Sequence, residues 1–309
     1  MKKICCFVIC LCLLSGCTSV TIPQNKGDKL QIVATLFPQY DIARTIAGDL
    51  ADVVLLLPPG AESHSYEPTP ADIITINQAD LFIYTGDAME GWVTSILDSL
   101  ESNLAILNIS EGIPLHGTEH EMAHDEANHT HTDVDPHVFT NPRFVQQMAI
   151  TLRERLKEID TNQEHHTIYD TNAKKLQQEL VNLDQRFRNI TENSKRKKLI
   201  FGGRFPFLYF IEEYNLTYDA AYNSCSSESE PSAADIARLI DTVHKEQIPV
   251  VYYEELSDPK IARLICEETG TEPLILHSCH NISKEELANG ATYISLMNTN
   301  ADHLEKGLN

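Results

Sequence analysis

Strand and helix patterns alternate along the chain, and this alternation restricts the fold more than any other feature of the sequence. Apolar, strand-like runs occupy 30–36, 52–57, 81–84 and 104–108, and helical spacing of apolar residues separates them. The same order of elements resumes at residue 198 and continues to the end of the chain. Because such βαβ units place consecutive strands in parallel, we predict an α/β fold with two Rossmann-like lobes.

A long helical region separates these two halves. Its apolar residues follow helical spacing, at Phe144, Met148, Leu152 and Leu156 and again at Leu176, Leu180, Leu183 and Phe187. No proline follows Pro142 before residue 196. We therefore predict linking helices over 146–196, including one long rigid helix, between an N-terminal lobe at 29–145 and a C-terminal lobe at 197–309. A chain of 309 residues also exceeds the size at which one hydrophobic core usually stops growing.

The N-terminus has the pattern of an export signal. Lys2 and Lys3 precede an apolar run from Ile4 to Leu14, which is too short to span a bilayer. The following Leu-Ser-Gly-Cys17 resembles the lipobox of bacterial lipoproteins, in which cleavage precedes a lipid-modified cysteine. We predict a lipoprotein signal peptide at 1–16, lipidation of Cys17 and a polar tether at 17–28; the alternative is an ordinary signal peptide with a chance cysteine. The expected location is the extracytoplasmic face of the bacterial cell membrane, with the lipid as the only membrane contact.

The charge balance limits the class of partner. The chain has 45 acidic and 24 basic residues, a formal net charge of −21. Nucleic-acid binding requires a basic face that neutralises phosphates, so no nucleic-acid partner is expected. An acidic balance is compatible with the handling of cations but does not require it.

Three cysteines remain beyond the signal peptide and Cys17: Cys225, Cys266 and Cys279. Cys266 lies at an apolar position of a predicted helix, so we expect it to be buried. Cys225 and Cys279 have polar, loop-like neighbours, and an exported protein is able to oxidise such a pair. We predict a Cys225–Cys279 disulfide; two free thiols or a thiolate metal ligand are the alternatives.

Several histidines lie next to predicted strand ends. His64 follows the second strand, His137 precedes a helix, and His277 and His280 follow the last strand. Ligands of open α/β sheets collect beyond the carboxyl ends of the strands, and neutral imidazole is a good ligand for transition metals. Taken one at a time, however, each of these histidines is more often an ordinary loop residue.

A second group of histidines lies in a polar segment at 116–133, which has no apolar face and is predicted to be a mobile loop. Its five histidines are His116, His120, His124, His129 and His131. They predict an auxiliary metal-binding loop of low affinity, and the alternative is an inert solvated insertion.

These motifs together resemble the zinc/manganese class of solute-binding lipoproteins of metal ABC importers, specifically its zinc-uptake members. The segments that carry the resemblance are Pro58-Pro-Gly-Ala-Glu-Ser-His64-Ser-Tyr-Glu-Pro-Thr-Pro70, the histidine-rich loop, Asp135-Pro-His137-Val-Phe-Thr-Asn-Pro142, Glu228-Ser-Glu-Pro231-Ser, Tyr253–Lys260 and Thr292–Asn300. The resemblance implies a metal ion held between two lobes, captured outside the cell and delivered to an ABC permease and its ATPase. It implies a binding protein and not an enzyme, and we expect a monomer.

The resemblance assigns the first two family ligands to His64 and His137. The third family ligand is a histidine that opens a His-x-x-Phe-x-Tyr-Phe segment, but Arg204 opens the matching segment here. A guanidinium group cannot coordinate a cation, so we expect Arg204 to pair with an acidic neighbour. His277 takes the place of the acidic fourth ligand, and the predicted site is therefore His64, His137 and His277. Further candidates to complete it are His280, Cys279, Glu228, Glu230 and Glu254.

Imidazole-rich sites suit zinc better than manganese, which prefers oxygen ligands, so Zn²⁺ is the expected ion and Mn²⁺ the alternative. Two other functions on the same fold are a metal-dependent hydrolase, since three histidines with an open position could activate water, and a surface adhesin. Against the hydrolase, the sequence contains no His-Glu-x-x-His run, no Gly-x-Ser-x-Gly elbow and no P-loop.

Overall fold

The computed structural model describes residues 29–117, 134–222 and 230–309 and contains two four-stranded sheets. The first sheet has the order β2-β1-β3-β4, with β1 Leu30–Ala34, β2 Ala51–Leu55, β3 Leu81–Tyr84 and β4 Ala105–Asn108. The second has the order β6-β5-β7-β8, with β5 Lys198–Phe201, β6 Thr217–Ala220, β7 Val250–Tyr253 and β8 Glu272–Ile275. All neighbouring strands are parallel, which confirms the predicted α/β fold with two lobes.

Helices connect the strands and flank both sheets. In the first lobe they are α1 Phe37–Ala47, α2 Pro70–Asn77 and α3 Gly91–Ile96. Two longer helices follow, α4 Pro142–Ile159 and α5 Gln163–Asn193. The second lobe contains α6 Leu208–Glu213, α7 Ala233–Glu246, α8 Lys260–Thr269, α9 Lys284–Ala288 and α10 Tyr293–Leu308. Within the three described ranges, no helix combines the length and the apolar character that a membrane crossing requires.

The two sheets have the same order of strands, and this order indicates where a ligand is expected to bind. In each sheet the chain pairs its first strand with the second and then crosses to the opposite side of the first strand. The order of strands therefore reverses beside β1 and beside β5, and a ligand is expected outside the carboxyl ends of the strands at such a point. The loops that follow β2, β5, β7 and β8 meet there, in a cleft between the lobes.

Helix α5 joins the lobes through a continuous core. Tyr169, Ala173 and Leu176 are buried near its start, and Phe187 and Ile190 near its end. They belong to one cluster of buried side chains that includes strand residues of both sheets. The helix is 31 residues long. Its continuous packing favours small movements of the lobes over a wide hinge closure. The limits 29–145, 146–196 and 197–309 stay a prediction.

The packing of Phe187 provides a test of the role of α5. Its side chain has 0 % exposure, and its ring centroid lies 4.9 Å from that of Phe210 and 5.3 Å from that of Tyr214 in the second lobe. We expect Phe187→Ala to lower the free energy of unfolding by about 3–5 kcal/mol, because it removes buried contacts and leaves a cavity. Val181→Ala, at an exposed position of the same helix, is the control and should change it by less than about 0.5 kcal/mol. Urea unfolding measures the free energy of unfolding of both variants. Equal losses of stability would contradict the role of α5 in joining the two lobes.

Candidate metal centre

A cleft of about 350 Å³ lies between the lobes. From the first lobe, the loop after β2 contributes Glu62 and His64, and the segment before α4 contributes His137. From the second lobe, Arg204 follows β5 and His280 follows β8. The remaining acidic side chains that line the cleft are Glu230, Glu254, Glu255 and Asp258. The cleft therefore combines imidazoles with an excess of carboxylates, which suits a cation.

Three imidazole rings converge in this cleft. The ring centroid of His64 lies 5.2 Å from that of His137 and 6.2 Å from that of His280, and the His137 and His280 centroids lie 5.9 Å apart. Three imidazoles on a tetrahedral zinc ion, with Zn–N distances of about 2.0–2.1 Å, place their centroids about 5 Å apart. Within the described part of the chain, no three His, Cys, Asp or Glu side chains yet have the spacing of a completed metal site. The rings thus fit an ion after a small inward movement.

A carboxylate fixes the orientation of His137. Its Nδ1 lies 2.8 Å from Asp135 Oδ1, which also accepts a hydrogen bond of 2.8 Å from the backbone N–H of His137. The hydroxyl of Tyr209, on α6 of the second lobe, donates to the carbonyl oxygen of Asp135 at 2.7 Å. A hydrogen bond from Nδ1–H to a carboxylate selects the tautomer in which Nε2 carries the lone pair for a metal.

His280 has an equivalent support. Its Nδ1 hydrogen-bonds the Ser278 hydroxyl and lies 3.3 Å from Glu255 Oε1. Glu255 is buried and accepts hydrogen bonds from the Ser278 hydroxyl, at 2.6 Å, and from the Ser278 backbone N–H, at 2.7 Å. Two of the three converging imidazoles therefore have a carboxylate on the Nδ1 side, as is usual for zinc-bound histidines.

The structure does not place His277, predicted as the third ligand, in the lining of the cleft. Its Nε2 lies 3.5 Å from Glu286 Oε1, and its Nδ1 accepts the backbone N–H of Cys279 at 2.9 Å. The backbone turns at Cys279, with φ +67°, and the side chain of His280 lines the cleft while that of His277 does not. The third imidazole of the cleft is therefore that of His280.

Arg204 pairs with an acidic neighbour across the cleft, as the sequence predicts. Its Nη1 lies 3.3 Å from Glu62 Oε2. Glu254 lies deeper beside the same loop, and a Cβ atom at Gly203 would overlap its Oε2. Burial raises the pKa of Glu254 to about 7. A side chain at position 203 would therefore require this carboxyl group to move.

Burial and the neighbouring imidazoles keep His64 and His280 neutral. Burial, followed by the neighbouring His137 and His280, lowers the pKa of His64 to about 4. Burial also lowers the pKa of His280. At neutral pH these two rings therefore carry a lone pair and lose no proton when they bind a metal.

The other residues predicted from the sequence lie outside the cleft or outside the described residues. His116 lies outside the cleft lining, with its Nε2 3.0 Å from Glu212 Oε2 and its ring against Tyr209. Cys266 is buried, as predicted, and Cys279 is a free, fully buried thiol, so the structure gives no support to its disulfide with Cys225. The predicted residues that lie outside the described residues are Cys17, His120, His124, His129, His131, Cys225 and Glu228.

Sequence reasoning missed the acidic side chains that accompany the candidate ligands. Glu62 precedes His64 by two residues, and Asp135 precedes His137 by two residues. Both carboxylates accept the backbone N–H of the histidine that follows, at 3.2 Å and 2.8 Å. This shared spacing of two residues could have indicated both carboxylates in the sequence. The contact of Glu255 with His280 joins residues far apart in the chain, so no local sequence pattern indicates it.

The fold and the cleft define a two-lobed solute-binding protein with a site for a metal ion. The comparison with known families agrees: the family described as zinc-uptake complex component A, periplasmic, matches residues 32–307, and the chain belongs to this family. The high-affinity zinc uptake system protein ZnuA of Bacillus subtilis (strain 168) is 34 % identical, over 98 % of this chain and 96 % of that protein. The zinc-binding lipoprotein AdcA of Streptococcus pneumoniae R6 is 31 % identical over 99 % of this chain, which spans only 61 % of AdcA.

Solved structures show the same architecture. The metal-dependent lipoprotein YcdH of Bacillus subtilis superposes with a TM-score of 0.77 at 32 % identity, covering 91 % of this chain and 99 % of that one. The Zn(II)-bound ZnuA-like domain of Streptococcus pneumoniae AdcA gives 0.76 at 28 % identity, with the same coverage. The laminin-binding protein Lmb of Streptococcus agalactiae, described as having adhesin and metal transporting activity, covers 91 % of this chain and 100 % of that one and gives 0.76 at 24 % identity. At that identity the likeness shows the fold alone.

The low pKa of His64 leads to a measurable pH dependence. In the metal-free protein, the unfolded chain takes up a proton at this residue near pH 6.5, while the folded chain does so only at about pH 4. Stability should therefore fall as the pH is lowered from about 6.5 towards 4, because the unfolded state binds more protons there. NMR titration of the imidazole should give a pKa of about 4 that rises in His280→Ala. A pKa near 6.5 in the unsubstituted protein would contradict the described environment.

Proposed function

We propose that the protein captures a zinc ion outside the cytoplasm, with His64, His137 and His280 as its nitrogen ligands, and delivers it to an ABC permease. The observation that carries this proposal is the convergence of three imidazoles between the lobes, two of them backed by carboxylates. Zinc is also named in the matching family and in its relatives. The ion is cargo, so the site has to bind it and later release it.

The choice of zinc follows from the donor atoms. Three neutral imidazole nitrogens form a ligand set that suits zinc, whereas manganese favours carboxylate, carbonyl and water oxygens. The carboxylates of Asp135 and Glu255 lie on the Nδ1 side of His137 and His280 and increase the basicity of these rings. Zn²⁺ is therefore preferred over Mn²⁺ as the ion.

Binding between the lobes provides a route to release. His64 and His137 belong to the first lobe, and His280 belongs to the second. Next to the site, the Gly60 N–H donates to the Ile282 carbonyl at 2.9 Å, and the Asn281 amide donates to the Ala61 carbonyl at 2.5 Å. A small separation of these two loops would withdraw His280 from the ion. We suggest that contact with the permease causes this separation.

Family membership makes the chain a solute-binding protein and not an enzyme, and the hydrolase alternative is dropped. The adhesin alternative has no better support, since the laminin-binding relative supports only the fold. A zinc-uptake component implies an ABC permease with its ATPase as partners. A monomeric state, a lipid anchor at Cys17 and auxiliary binding by the histidine-rich loop belong to this proposal.

The two neighbouring histidines of the second lobe allow a direct test. We expect His280→Ala to lower the zinc affinity by at least about 100-fold, because it removes a ligand and leaves two imidazoles. His277→Asn keeps an acceptor for the Cys279 N–H and should retain one zinc per chain, with a loss of at most about tenfold. Metal analysis measures the zinc content of the two variants, and competition with a chromophoric chelator measures their zinc affinity.

His244→Ala, at an exposed position of α7, is the control for the general loss of a histidine and should bind zinc like the unsubstituted protein. If His277→Asn lost its zinc while His280→Ala retained it, the ligand assignment would be reversed. If the unsubstituted protein bound no zinc, the proposed function would fail.

The anchor is tested at Cys17. Replacement by alanine removes the thiol that would carry the lipid, so we expect the protein to move from the membrane fraction to the soluble extracytoplasmic fraction. Cys266→Ala, at a buried helix position, should leave the distribution unchanged. Equal membrane association of both variants would show that another segment holds the protein at the membrane.

A further inference from the structure

Glu254 is a carboxylate of the cleft whose contacts are incomplete. Its side chain lines the cleft, and the residue is only 7 % exposed. Within the described residues, its Oε2 is buried and has no hydrogen-bond partner. Burying a carboxylate oxygen without a partner costs free energy, and in native structures a bound ion or water commonly satisfies such an atom. The unpaired oxygen of Glu254 therefore indicates a cation ligand.

The other acidic side chains that line the cleft have partners or are open to solvent. Glu255 is buried, but its two oxygens accept hydrogen bonds from the hydroxyl and the backbone N–H of Ser278. The remaining three are exposed: Glu62, Glu230 and Asp258. Water can satisfy their oxygens, so their position does not call for an ion. Among the acids that the structure describes in the cleft, only Glu254 combines burial with an unpaired carboxylate oxygen.

The sheet topology places Glu254 between two loops of the site. The residue directly follows β7, which pairs with β5 on one side and with β8 on the other. These strand ends stay together, and the Gly202 N–H donates to the Tyr252 carbonyl at 2.8 Å. The loop after β5 carries Arg204, and the loop after β8 carries His280. Glu254 therefore enters the cleft between these two residues.

The loop after β5 leaves space for the carboxyl group of Glu254 but supplies no metal ligand of its own. A Cβ atom at Gly203 would overlap Glu254 Oε2, so this oxygen lies directly against the backbone of the loop. Arg204, at the position of the family's third histidine ligand, directs its Nη1 to Glu62 Oε2, 3.3 Å away. A guanidinium group has no lone pair for a metal. An oxygen of Glu254 thus lies beside the backbone from which the family's third ligand extends.

We propose that Glu254 is the fourth ligand of the zinc ion and takes over from the histidine that Arg204 replaces. This inference rests on the proposed function. Three neutral nitrogens and one carboxylate oxygen complete a tetrahedral zinc site. The two lobes then contribute two ligands each: His64 and His137 from the first, Glu254 and His280 from the second. A small separation of the lobes would withdraw an anionic ligand together with an imidazole.

The unpaired oxygen gives the proposal a test that does not depend on affinity. Glu254→Gln keeps the size of the side chain and removes its charge. In the metal-free protein it should not lower the thermal midpoint, because Oε2 has no hydrogen bond to lose. Added zinc should then raise the midpoint less than in the unsubstituted protein, because stabilisation by a ligand follows its affinity for the folded state. A purely structural role would instead lower the midpoint without metal.

The experiment compares Glu254→Gln with Glu230→Gln in the full-length protein. Glu230→Gln makes the same chemical change at an exposed acid of the cleft and is the control. Competition with a chromophoric chelator measures the Zn²⁺ affinity, and the absorption bands of bound Co²⁺ report the ligands independently of affinity. We expect Glu254→Gln to change these bands and to weaken zinc binding by about 10–100-fold, while three imidazoles still retain one ion. Glu230→Gln should keep the bands and an affinity within about threefold.

Three results would overturn the assignment. If Glu254→Gln kept both the affinity and the Co²⁺ bands, another group would fill the fourth position. If Glu230→Gln showed the changes instead, the ligand would be Glu230. If Glu254→Gln lowered the thermal midpoint equally with and without zinc, the residue would be structural. In each case the unsubstituted protein would still bind one zinc per chain, whereas failure of the proposed function would leave it with none.

Discussion

The hydrogen bonds of Glu255 determine how the second lobe takes part in the site. This buried carboxylate accepts the backbone N–H and the hydroxyl of Ser278, and it lies close to Nδ1 of both His277 and His280. The loop after β8 is thereby held in a conformation that keeps His277 in the interior and places His280 in the cleft. Without this anchor the two histidines would be chemically equivalent candidates for a metal ligand.

The fold gives this local arrangement its function. Parallel strands deliver their loops to one edge of each sheet, and the two edges face each other across the cleft. Helix α5 and its continuous core hold the lobes in register, while hydrogen bonds between the His64 and His280 loops cross the gap. With the proposed ligands, the ion would be bound between two lobes, and a small relative movement of the lobes would change the number of its ligands. This combines retention with release, as a carrier of zinc requires.

Much of this organisation could be predicted from the sequence. The alternation of strand-like and helix-like segments predicted both sheets, because the apolar residues of strands and of helices repeat with different periods. The chain also indicated His64 and His137, which lie in recognisable motifs beside strand ends and helix starts. The choice between His277 and His280 could not be made from the sequence. It depends on a left-handed backbone conformation at Cys279, and cysteine is not a residue type that favours this conformation. The roles of Glu62 and Glu255 depend on contacts over long sequence distances, to Arg204 and to Ser278.

In the proposed site, the second lobe binds zinc through His280 while His277 stays between two carboxylates. A crystal structure of the zinc-loaded protein, with anomalous data at the zinc edge, tests this most directly. We predict one anomalous peak with His64, His137 and His280 nitrogens at about 2.0–2.1 Å, and His277 still beside Glu255 and Glu286. A peak coordinated by His277, or one outside the cleft, would contradict the account.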